Sequence, residues 1–105
     1  MADKHVKITV QVENGKKKGK PDKEKPVISR KNQEGLVWSC DTDNFTVTLH
    51  TPSDFVKNQT TIKGTPSSPA ESGPLNKKGP EEVDRTYDIE ITGSVLTDPG
   101  YRVDP

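Results

Sequence analysis

The chain has a single cysteine, a single methionine, a single tryptophan and two histidines, and aromatic residues make up only 5% of its 105 positions. With Cys40 alone, no intramolecular disulfide is possible, so stability must come from the core. No apolar run approaches the ~20 residues of a membrane-spanning helix. The opening "MADKHVKITV" lacks the basic stretch and apolar segment of a secretory leader. The expected location is therefore cytoplasmic, unless a leader has been removed. On that expectation the glycosylation sequons Asn44-Phe45-Thr46 and Asn58-Gln59-Thr60 carry no meaning. Helical patterning is missing too: no stretch of ~10 residues keeps a 3.6-residue apolar period without proline or glycine.

Motifs for catalysis are also lacking. There is no G-x-S-x-G elbow. "NGKKKGK" supplies glycines and lysines but not the G-x-x-x-x-G-K-[ST] that cradles phosphate. "DTDN" (residues 41–44) resembles the start of a calcium loop. However, its sixth position is Thr46 rather than glycine and its twelfth is Pro52. Asp41 and Asp43 are better read as turn residues making local Asx hydrogen bonds. No enzymatic activity, cofactor or catalytic residue is expected.

Hydrophobic residues make up 27% of the chain and charged ones 30%, with 16 basic and 16 acidic side chains. Ile, Leu, Val and Phe total 21, roughly the one-fifth level below which a highly charged chain is disordered. Net charge is zero and the apolar residues fall in short runs, which points to a small folded core with long polar loops. Residues 1–40 carry ten basic and five acidic groups, and residues 41–105 carry six and eleven. Such asymmetry fits a nucleic-acid-binding end, a self-complementary molecule, or two ends of one domain. A nucleic-acid surface interleaves basic residues with stacking aromatics, and the six lysines of residues 14–26 have none. Neither nucleic acid nor membrane is an expected partner.

What is present is alternation. In "HVKITVQVE", Val6, Ile8, Val10 and Val12 share one face and the polar residues the other, the mark of a half-buried strand. "NGKKKGKPDKEKP" reads as a solvated, mobile loop. "VISR" is a short strand. Residues 36–50 read as a β-hairpin, with Leu36, Trp38 and Cys40 on one side of its first strand and Phe45, Val47 and Leu49 inward on its second. Residues 51–80 hold five of the nine prolines and read as a long loop with a flexible centre at "GTPSSPAESGP", anchored by Phe55, Val56, Ile62 and Leu75. "EVDRTYDIEITG" is the last long strand, with Val83, Tyr87, Ile89 and Ile91 inward, and "YRV" closes the fold. The expectation is one all-β domain over 1–105, an immunoglobulin-like sandwich of about six or seven strands.

The order of these pieces resembles a known family. "KPVISRKNQEGLVWSCDTDNFTVTL" is similar to the cupredoxin pattern of a strand, a glycine turn, a tryptophan strand, a short loop and an alternating strand. "RTYDIEITGSVLTDPGYRVDP" resembles that family's C-terminal tyrosine strand, ligand loop and final strand, most closely in small bacterial cupredoxin-like proteins. The resemblance implies a copper site of two histidines, a cysteine and a methionine, a soft set that suits both copper oxidation states. Position by position, it places Phe45 or Asn44 at the first histidine, Ile91 at the cysteine, Ser94 at the second histidine and Pro99 at the methionine. None of these is a ligand, so the resemblance implies a copper-free relative with no metal site.

Cys40 and the histidines His5 and His50 leave an alternative, a metal-binding electron carrier using Cys40 with His50 or His5. Strand parity opposes it, since Cys40 falls on the Trp38 side and both histidines on polar faces; Met1 lies at the chain end. The simpler reading is a buried thiol and two solvent-facing imidazoles. The leading expectation is a non-enzymatic interaction or accessory module that meets a protein partner through the 64–80 loop or a sheet edge.

Overall fold

In the computed structural model, which describes residues 3–97 and 99–105, the chain forms ten strands and one short 3₁₀ turn, with no α-helix among the described residues. The strands are β1 (Lys4–Glu13), β2 (Lys16–Pro21), β3 (Val27–Ser29), β4 (Leu36–Ser39), β5 (Phe45–Leu49), β6 (Thr61–Gly64), β7 (Ala70–Glu71), β8 (Val83–Ile91), β9 (Ser94–Leu96) and β10 (Gly100–Asp104); the 3₁₀ turn is Pro52–Asp54. One mixed sheet has the order β2-β1-β4-β7, and the other β3-β10-β8-β5-β6 with β9 alongside β8. Val6, Ile8, Leu36 and Trp38 from the first sheet meet Val47, Leu49, Tyr87, Ile89, Tyr101 and Val103 from the second in one apolar cluster. The all-β, sandwich-like expectation therefore holds.

The two aromatic rings Trp38 and Tyr87 join the layers edge to face, with centroids 5.2 Å apart. The inward sets read from the sequence are buried at Phe45, Val47, Leu49, Tyr87, Ile89 and Ile91, while Val83 is only half-buried. Of the four anchors expected in residues 51–80, Phe55, Ile62 and Leu75 are buried and Val56 is exposed.

Three expectations are corrected. Residues 14–26 are not a free loop, because Lys16–Pro21 pair with β1 from Ile8↔Pro21 to Glu13↔Lys16. Asn14 and Gly15 both have positive φ, 52° and 75°, which makes the two-residue turn whose twist matches its flanking strands. Residues 36–50 are not a hairpin. β4 pairs with β1 in parallel and with β7, whereas β5 pairs with β6 and β8 in the opposite sheet. Alternation looks the same in both arrangements, since two strands facing one core from opposite sides also point their apolar residues at each other. The segment 64–74 is structured as well. Thr65 and Ser68 exchange backbone hydrogen bonds, Ala70 pairs with Trp38, and Ser72 N–H donates to the Leu36 carbonyl.

The strand count also exceeds six or seven, partly because β9 and β10 are one interrupted strand. Leu96 faces Ile89 and Gly100 faces Thr86. Pro99, just before β10, has no N–H to lose from the ladder.

Gly19 shows how closely β2 lies on the second sheet. A Cβ there would come within 2.7 Å of Ile91 Cδ1 and 2.9 Å of Ile8 Cγ2. Gly19→Val should therefore destabilise the fold by about 1–3 kcal/mol through overpacking, read as a lower urea midpoint with an unchanged slope. An unchanged midpoint would mean that the hairpin is not packed this way.

Candidate functional site

The buried polar groups centre on a carboxylate. Pro52 opens the 3₁₀ turn and Asp54 ends it, carrying the Asp54 side chain into the interior at 4% exposure. Arg30 Nη2 donates to Oδ1 at 2.9 Å and Arg85 Nε to Oδ2 at 2.9 Å. Longer bonds at 3.4 Å come from Arg85 Nη2 and from the Tyr101 hydroxyl. Arg30, 1% exposed, also donates to the Pro80 and Asn76 carbonyls at 2.6 and 3.0 Å. Arg30 and Asp54 satisfy one another out of water with two carbonyl dipoles, and the half-buried Arg85 adds a second cation from the rim, the condition under which buried charge is tolerated. None of this was read from the sequence. Arg30 follows an apolar strand and Asp54 lies in a turn, and nothing local pairs them.

The donors considered for a metal do not converge. Cys40 is 2% exposed and its sulfur's neighbour is Thr42 Oγ1 at 3.8 Å. His50 follows the far end of β5, so five strand residues at ~3.3 Å each place it more than about 15 Å from the loop that holds Cys40. His5 is exposed, on β1 opposite Val37. Among the described residues no three His, Cys, Asp or Glu side chains group as metal ligands.

The positions that the copper resemblance assigned are filled by core and turn residues. Phe45 and Ile91 are buried at 3% and 0%, Ser94 pairs with Ile91 at the β8–β9 turn, and Pro99 accepts a hydrogen bond from Tyr87 N–H. The carboxylates of the calcium-like turn meet lysines instead, Asp41 with Lys7 at 3.0 Å and Asp43 with Lys17 at 2.9 Å. Ion pairs with lysines distant in the sequence, in place of the expected Asx bonds, thus account for the two acids. Asn44 and Asn58 of the sequons are exposed.

His50 belongs to a cluster that the sequence reading missed. Its Nδ1 lies 2.6 Å from Thr86 Oγ1 and its Nε2 2.9 Å from Asp88 Oδ1. A carboxylate only accepts, so in the neutral imidazole Nε2 carries the proton and Nδ1 accepts from the threonine hydroxyl. The order carboxylate, imidazole, hydroxyl is that of a nucleophile relay. It lies on the outward face of β5 and β8, where the register is Leu49↔Tyr87 and Thr48↔Asp88. The Tyr87 N–H is committed to the Pro99 carbonyl and the His50 N–H to the Thr86 carbonyl, so neither is free to hold an oxyanion. The sequence signals were the outward parity of His50 with Thr46 and Thr48 and of Thr86 with Asp88, and they did not reveal that the two strands lay side by side.

A groove of about 460 Å³ runs where β2 meets the end of β9 and the residue before β10, lined by Pro21, Leu96 and Pro99 with Lys20, Glu24 and Lys25 around them. Comparison with protein-family models and with curated proteins matches this chain to none of them. No helix among the described residues is long and apolar enough to cross a membrane.

Two tests follow from the buried groups. Asp54→Asn leaves two guanidinium groups without their counter-charge and should cost about 3–5 kcal/mol in chemical denaturation. A loss below about 1 kcal/mol would show that the network contributes little to stability. Burial, offset slightly by the Trp38 indole N–H, pushes the Tyr87 phenol up from 10.0 to about 12. Burial and then the Asp54 carboxylate push Tyr101 upward too. The unfolded chain therefore releases these protons first. Stability should be intact below pH 10 and fall as pH rises above it, at ~1.4 kcal/mol per pH unit for each tyrosine. Urea midpoints measured across that range, with phenolate absorbance, check this; a flat profile would refute it.

Proposed function

We propose that the chain is a copper-free, cupredoxin-like β-sandwich acting as a non-enzymatic interaction module, which takes an extended acidic segment of a protein partner along its β2 edge. The observation that carries this reading is the open, lysine-rich edge beside an apolar groove. Asp22 N–H donates to the Lys7 carbonyl, which fixes the parity of the hairpin. The pairs Thr9↔Lys20, Gln11↔Lys18 and Glu13↔Lys16 then exchange hydrogen bonds, and Lys17 and Gly19 turn their backbone N–H and C=O away from β1. Those groups are what an added strand uses.

Lys16, Lys17 and Lys20 are exposed on this strand, and Lys23 and Lys25 follow it. Such a rim favours an acidic partner, while Pro21, Leu96 and Pro99 offer its apolar side chains a floor. The 64–80 segment is the weaker candidate surface, because β7 is committed to β4 and the Asn76 and Pro80 carbonyls to Arg30. The family part of the reading draws support from the order of pieces. A short strand (β3) precedes a tryptophan strand (β4) and an alternating strand (β5), and a tyrosine strand (β8) leads to a final short one (β10). The positions of the four copper ligands carry Phe45 or Asn44, Ile91, Ser94 and Pro99.

Synthetic peptides alternating Glu with Val, and Lys with Val, test this by fluorescence anisotropy at low salt. The acidic peptide should bind and the basic one should not. Lys20→Glu with Lys25→Glu should weaken binding at least about tenfold, ~1.4 kcal/mol. Equal binding of both peptides, or no effect of the charge reversals, would overturn the β2 edge as the docking surface.

A further inference from the structure

We infer that Thr86 is a nucleophile, activated by His50 and Asp88, that accepts an acyl group from an activated ester. The three side chains are assembled from two strands, His50 just past β5 and Thr86 and Asp88 two residues apart on β8. That spacing puts both β8 residues on one face, and the ring of His50 bridges them at 2.6 and 2.9 Å. In the neutral imidazole Asp88 selects the Nε2–H tautomer, which leaves the Nδ1 lone pair to face the hydroxyl, the requirement for general-base activation. Thr86 is exposed, and the residue beside it on β10 is Gly100, so no side chain covers its flank from that strand.

The step is a simple exchange. His50 Nδ1 takes the hydroxyl proton as Thr86 Oγ1 bonds to the ester carbonyl carbon. The bond from that carbon to the aryloxy oxygen then breaks, and Nδ1 returns the proton to the departing aryl oxide. The products are acyl-Thr86 and a phenol, with no redox change. The Tyr87 and His50 backbone N–H groups are already bonded, so the tetrahedral oxyanion gains no help from them. The reaction is therefore confined to esters with good leaving groups and ends at a single acylation, in keeping with a protein that is otherwise not an enzyme.

The probe is p-nitrophenyl acetate, with the protein digested and its acetylated peptides quantified by mass spectrometry. Thr86 should carry the acetyl group while Thr48 on the same face does not, and acetylation of Lys16 serves as the reference in each digest. Thr86→Ser should keep the label and Thr86→Val abolish it. His50→Gln should slow Thr86 acetylation roughly 100-fold, as for loss of a general base, with Lys16 unaffected. Asp88→Asn, which preserves the shape of the cluster, should slow it as well and stands in if His50→Gln does not fold by thermal unfolding. Thr86 acetylated no faster than Thr48, or labelling indifferent to both His50→Gln and Asp88→Asn, would overturn the assignment and leave the cluster as a tie between two strands.

Discussion

The carboxylate of Asp54 is the constraint around which the molecule is arranged. Arg30 reaches it from the end of β3, Arg85 from β8 and Tyr101 from β10, while Asp54 itself belongs to the excursion between β5 and β8. Arg30 then holds the returning end of that excursion through the Asn76 and Pro80 carbonyls. Gly79 lies against the guanidinium so closely that a Cβ would come within 2.7 Å of its Cζ. A proline-rich stretch of this length has little apolar surface with which to fold. Its entropy is offset instead by charge-assisted hydrogen bonds at both ends and by Phe55 and Leu75, which pair with each other across the excursion and are buried at 1% and 0%. Once fastened, it delivers β6 to one sheet and β7 to the other.

Charge elsewhere is organised along the same lines at the surface. The basic first part of the chain meets the acidic remainder in Lys7–Asp41, Lys17–Asp43 and Lys25–Asp84, at 3.0, 2.9 and 3.2 Å. Exposed pairs of this kind add little stability, yet they set which loops lie together. Inside, Trp38 and Tyr87 spend their polar atoms poorly: neither Nε1 nor the hydroxyl finds a partner of good geometry among the described residues. The aromatic contact between the layers is therefore held by area and edge-to-face geometry.

On the proposed reading, the surface and not the interior carries the function. The positions where the family resemblance expects copper ligands carry apolar or turn residues, and the free thiol is enclosed. The chemistry that remains lies on an open strand edge rich in lysine and on an outward sheet face where an imidazole bridges a hydroxyl and a carboxylate.

The alternating runs of β1, β5 and β8 were legible because period-2 burial is a local property: a residue's face follows from its neighbours two positions away. The buried thiol of Cys40 and the short strand at residues 27–29 came from the same kind of reading. Pairing was not legible, because alternation states which side faces the core and not which strand lies alongside. That is why residues 36–50 read as a hairpin when they cross between sheets. The Asn14-Gly15 turn was a local signal outweighed by the lysine-rich composition that follows it. The Asp54 network and the His50–Thr86–Asp88 cluster are joined by hydrogen bonds between residues 24 to 50 positions apart, and only tertiary packing brings such groups within hydrogen-bonding distance. The sequence by itself determined an all-β chain with a small core. The tertiary structure alone decided the two sheets, the buried ion network and the chemistry displayed on the surface, since each depends on contacts between segments that local patterning does not connect.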